Sequence, residues 1–135
     1  MKKFITAFIF TIFCIATANA KGEWILVDET SDALVYINTD ISEEYGSYLV
    51  WQKWDYKKAK KTGSRKHAKY YWSTVYLCEY SKDFSKNRLR SYTKYSKSGK
   101  VVESASFEYG DWDYIVPDTV GETLAEAAQY IYENY

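Results

Sequence analysis

Two side chains in this sequence could act as a nucleophile or proton carrier near neutral pH. They are His67 and, beyond the first twenty residues, Cys78. A Ser-His-Asp or Cys-His arrangement needs an oriented, partly buried imidazole. His67 instead closes the run KKAKKTGSRKH, residues 57–67, which holds six Lys or Arg and no acid. One histidine and one thiol cannot supply zinc spacing of the CxxC or HxxxH kind. No phosphate loop or dinucleotide fingerprint is present. Carboxylate pairs exist at Glu43-Glu44 and at Asp111 with Asp113. Their neighbours are polar, and a general acid needs burial to raise its pKa. The sequence therefore points away from an enzyme and calls for no metal and no cofactor.

Binding chemistry is better supplied. Lys57, Lys58, Lys60, Lys61, Arg65, Lys66 and Lys69 form a basic cluster suited to a sulfated glycan or an acidic protein patch. Mutual repulsion predicts that residues 57–67 form an extended, solvated loop. Tyr70, Trp72, Tyr76 and Tyr92 offer rings for stacking on sugars or for a protein interface, unless they are spent on covering the sheet. Cys78 lies in an aromatic strand and is expected to be buried.

The chain opens with Lys2 and Lys3, an apolar run from Phe4 to Ile15, and Ala18-Asn19-Ala20. This is the pattern of a secretory signal peptide cleaved after Ala20. The apolar run falls short of the ~20 residues needed to span a bilayer, so no stable span is expected after cleavage. Phe13 before Cys14 spoils a lipobox, so export without a lipid is expected. Residues 21–135 are read as a single α+β domain. It keeps sixteen basic against eighteen acidic residues, a net charge of −2, which argues against a nucleic-acid partner. All fifteen Tyr and all five Trp lie in this part. Removal of Cys14 leaves Cys78 alone, so no intrachain disulfide can form.

Short apolar runs place strands at 23–27 and 33–37, and apolar residues on both faces of 48–56 suggest a third strand covered on both sides, with a polar connection over 41–46. Period-two alternation places three more strands over 70–81 (YYWSTVYLCEYS), 88–97 (RLRSYTKYSK) and 101–109 (VVESASFEY), the last two joined by Ser98-Gly99. Tyr70, Trp72, Thr74, Tyr76, Cys78 and Tyr80 should share one face. From Thr119 the period changes, and Val120, Leu124, Ala127, Ala128 and Ile131 form one helical stripe. Thr119 and Glu122 have the spacing of a capping box. The expected fold is an antiparallel sheet of about six strands with one C-terminal helix packed on it.

The order of these features resembles the surface-adhesin protein E family of exported bacterial proteins. Trp24 with VYIN (35–38), VWQKWDY (50–56), YLCEYS (76–81), RLRSYTKYSKSGKVVES (88–104) and WDYIVPDTVGETL (112–124) carry the resemblance. It implies the same sheet-and-helix fold, a place outside the cytoplasm, and binding of host matrix and plasma proteins by a dimer, as its best-known member does. Family members commonly carry a cysteine late in the final helix that can pair with the one matching Cys78. Here the helix reads LAEAAQYIYENY and has none, so Leu124, Ala128 and Ile131 must hold it. The function expected is that of an exported, non-enzymatic binding protein with a protein or sulfated-glycan partner, a second copy being a further candidate. The alternative is a soluble periplasmic protein that serves the envelope or inhibits an incoming enzyme.

Overall fold

A computed structural model describes residues 22–135 apart from Tyr109. The predicted signal peptide lies outside the described residues. Strands β1 (Trp24–Glu29), β2 (Ala33–Asn38), β3 (Ser42–Glu44), β4 (Ser47–Thr62), β5 (Lys69–Tyr80), β6 (Lys86–Tyr95), β7 (Val101–Ser106) and β8 (Asp113–Tyr114) precede helix α1 (Val120–Asn134). They build one antiparallel sheet ordered β1-β2-β4-β5-β6-β7. The short β3 pairs with the start of β4, and β8 with the start of β6. Six main strands and one terminal helix form the α+β fold expected.

The two faces of the sheet are filled differently. On one, α1 lays Leu124, Ala125, Ala127, Ala128 and Ile131 over Ile25, Val27, Val35, Ile37, Val50, Cys78 and Tyr80. Small alanines in the stripe let the helix sit close to β1 and β2, against which it packs. On the other face a smaller cluster joins Trp24, Tyr36, Val75 and Tyr95. Lys53 is buried there, its ammonium 5.2 Å from the Trp24 ring and 4.7 Å from the Tyr36 ring. Burial pulls the Lys53 pKa down, and Asp55 at 3.7 Å opposes that shift.

Local chemistry sets the boundaries. Thr119 caps α1 by accepting from the Glu122 amide, while the Glu122 carboxylate returns to the Asp118 amide at 2.9 Å. The β3–β4 hairpin turns on Tyr45 and Gly46, both at positive φ as a two-residue primed turn requires. Sequence pattern alone missed β3 and β8, because each is short and polar and is defined only by its backbone pairing.

The largest correction concerns residues 57–67. They are not an extended loop: β4 runs through them to Thr62, pairing Lys60 with Tyr71, Lys61 with Tyr70 and Thr62 with Lys69. An irregularity between Asp55 and Lys60 absorbs the extra residues. Only residues 63–68 turn. Gly63 is required there, since at φ 92° a Cβ would stand 2.6 Å from the His67 carbonyl oxygen. Carboxylates from the β1–β2 turn offset the repulsion that argued for a loop, as Glu29 meets Lys57 and Asp32 meets Lys60, each at 2.7 Å.

Candidate binding surface

The β4–β5 hairpin carries all seven of the predicted basic residues. Lys57 and Lys60 are engaged by Glu29 and Asp32. The other five, Lys58, Lys61, Arg65, Lys66 and Lys69, are exposed and meet no carboxylate among the described residues. Five unneutralised cations on one hairpin tip form a compact positive surface. His67 is exposed in the turn, its amide bonded to the Ser64 carbonyl at 3.0 Å.

An aromatic surface adjoins this hairpin through Lys60, whose ammonium lies 5.3 Å from the Tyr56 ring centre. Tyr56 meets Tyr71 edge-on at 5.7 Å, and its hydroxyl donates to Thr74 at 3.2 Å. Tyr76 and Tyr92 are cross-strand partners, and the Lys94 ammonium reaches both Tyr71 (4.7 Å) and Tyr92 (5.2 Å). Of the rings singled out from sequence, Tyr76 and Tyr92 stand in this group. Tyr70 and Trp72 do not: Tyr70 is largely exposed, and Trp72 is covered by Lys97 at 4.9 Å. The β4 irregularity opposite Trp72 alters the local geometry, and Tyr71 joins instead. Pattern reasoning also missed Trp54, Tyr56 and Lys94; the density of aromatics in WQKWDY was the available signal.

Trp54, Tyr56, Lys60 and Tyr76 line one side of a groove of about 530 Å³, with Val120 and Leu124 of α1 on the other. Burial and the neighbouring Tyr56 raise the Tyr76 pKa, so its phenol stays neutral. Glu103 ties together the strands beyond the groove. It accepts from Thr62 at 2.6 Å, Tyr92 at 2.7 Å and Lys94 at 3.4 Å, joining the end of β4 to β6 and β7. The result is a ring-lined trough on the same hairpin as the exposed cations. Among the described residues no group of three or more His, Cys, Asp or Glu is placed to hold a metal.

The family model of surface-adhesin protein E matches residues 24–128, which takes in every strand and most of α1. This chain belongs to the surface-adhesin protein E family. No curated protein and no solved structure matches it. Membership supports an adhesin-like protein of the cell exterior. Among the described residues, no helix is long and apolar enough to cross a membrane. Cys78 is buried, as expected, and its thiol donates to Gln52 at 3.6 Å.

Proposed function

We propose that this protein is an exported, non-enzymatic binding protein whose basic hairpin and adjoining groove engage a partner outside the cytoplasm. Residues 21–135 act as one unit after the leader is removed. The partner is an anionic surface, either a sulfated glycan or the acidic face of a host matrix or plasma protein. One observation carries this reading: five exposed cations that meet no carboxylate among the described residues stand on the hairpin that adjoins a groove lined by aromatic rings. Cations give long-range capture, and rings give short-range contact at low entropic cost. A second copy also fits by charge, since α1 carries Glu122, Glu126 and Glu133 and no base in its last turn.

Binding to immobilised heparin, and to matrix and plasma proteins, tests this against the variant with Lys58, Lys61, Arg65, Lys66 and Lys69 all changed to Gln. The parent protein should bind at low salt and elute at much higher salt than the variant. Coincident elution overturns the assignment of the hairpin. Trypsin treatment of intact cells decides the compartment. Loss of the protein supports contact with a host, whereas cleavage only after the envelope is opened supports a periplasmic role.

A further inference from the structure

A second candidate site lies on the face of the sheet opposite α1. Glu79 sits between the helix-facing Cys78 and Tyr80, so the strand pleat turns it to the other side. Its carboxylate is almost fully buried and accepts from Arg88 Nε at 2.9 Å, from Arg90 Nη1 at 3.0 Å and from the Ser47 hydroxyl. Burial pushes its pKa up, but the bonds from Arg88, Ser47 and Arg90 outweigh burial and hold it below the usual range. Arg90 is the extra residue of a bulge in β6, since Leu89 pairs with Cys78 and Ser91 with Leu77. Bulges of this kind re-aim side chains beside sites.

These residues floor a pocket of about 470 Å³, rimmed by Glu44, Tyr45, Glu108 and Trp112. That volume lies in the range of small-molecule sites, ~300–1,000 Å³. The donor count leaves capacity for a ligand. Arg88 uses Nε on Glu79 and Nη1 on the Gly110 carbonyl at 3.5 Å, and Arg90 uses Nη1. Neither Nη2 has an acceptor among the described residues. On the floor one carboxylate faces two guanidiniums, Glu44 and Glu108 add two more carboxylates at the rim, and Lys82 at the edge is already held by Glu43 at 3.0 Å. Trp112 lies over Arg88 at 4.3 Å and keeps 38% of its surface exposed.

We infer that this pocket binds a sugar residue bearing a single carboxylate, of the sialic-acid or hexuronic-acid type. The carboxylate takes the unused guanidinium nitrogens, the geometry at which arginine excels. The ring lies against the exposed part of Trp112. Glu44 and Glu108 accept hydrogen bonds from hydroxyls and repel any second acid, which disfavours sulfated polyanions and acidic peptides. The site is distinct from the basic hairpin, so either assignment can fail without the other.

Titration by NMR with 3′-sialyllactose, glucuronic acid, lactose and a short peptide with a free C-terminus tests the assignment on the intact domain. Saturable binding of one or both acidic sugars, with none of lactose or the peptide, is expected; which sugar binds tells the source. Arg90→Gln and Trp112→Ala should each weaken that binding roughly tenfold or more. Changing Lys61 and Lys66 to Gln should leave it intact. Arg90→Lys, which keeps the charge but loses the fork, serves if Arg90→Gln does not fold. Absence of binding by both acidic sugars, equal binding of lactose, preference for the peptide, or indifference to Arg90 and Trp112 each overturns the inference.

Discussion

Glu103 shows how much one half-buried carboxylate can organise. Hydrogen bonds from Thr62 and Tyr92, with help from Lys94, bring its pKa from 4.5 to about 2. A folded value below the unfolded one means that its contribution is complete above the unfolded pKa. That contribution fades as pH falls toward about 2. Glu79 moves in the same direction, and Asp83, held at about 2 by Ser85 and Ser81, titrates in the same window. Thermal melts from neutral pH down to about 2 should therefore show falling stability below pH 4.5, and Glu103→Gln should flatten that slope. A slope unchanged in the variant would remove Glu103 from the account. Cys78 gives a second test at this scale. Burial pushes its thiol up to about 12, so little thiolate forms near neutral pH. A thiol reagent at pH 8 should leave the native protein unmodified and label it once denaturant is added. Equal labelling rates in both states would show that the site opens.

At the scale of elements, α1 is the part most exposed to loss. It has no covalent tether to the sheet, and its stripe is narrow. Ile131→Ala should cost about 2–5 kcal/mol, the range for removing a buried branched side chain, because Ile131 is 1% exposed and central to the contact. Thr119→Ala, which removes the cap and the hydroxyl's bond to the Val116 carbonyl, should cost roughly 0.5–2 kcal/mol. Denaturant titration of both variants checks the order; a costlier Thr119 change would mean that the cap, not the stripe, seats the helix. Elements of this kind were also the legible ones. The strands at 24–29 and 33–38 follow from short apolar runs buried on both faces, the strand at 69–80 from a period of two, and the helix from a period of 3.6 with one buried face. The length of β4 was not legible. Its second half is polar, and its pairing depends on an irregularity near Asp55 and on acids from the β1–β2 turn, neither of which leaves a periodic trace. The same irregularity explains why Tyr71 replaced Tyr70 and Trp72 in the ring cluster. The Arg88–Glu79–Arg90 group left only a faint signal, an acid in the middle of an aromatic strand.

Across the whole molecule, charge and rings are distributed by face and by end. The hairpin tip at residues 58–69 is cationic, α1 is acidic, and each sheet face has its own recess. Because the tip cations make few internal bonds, their replacement should change association with partners while leaving the melting temperature within a few degrees. A large drop in stability on changing Lys58, Lys61 and Lys66 to Gln would show that they serve the fold.

The order of assembly follows from where α1 sits. Successive main strands are neighbours in the sheet, yet the helix that closes the main core packs on the first two strands of the chain. A polypeptide emerging N-terminus first from a ribosome or a translocation pore can zip its hairpins early. It cannot seal the apolar side of β1 and β2 until residue 131 is free. Until then the chain is an unsealed sheet whose apolar side needs shielding. The fifteen residues of α1 act as the latch that ends that period.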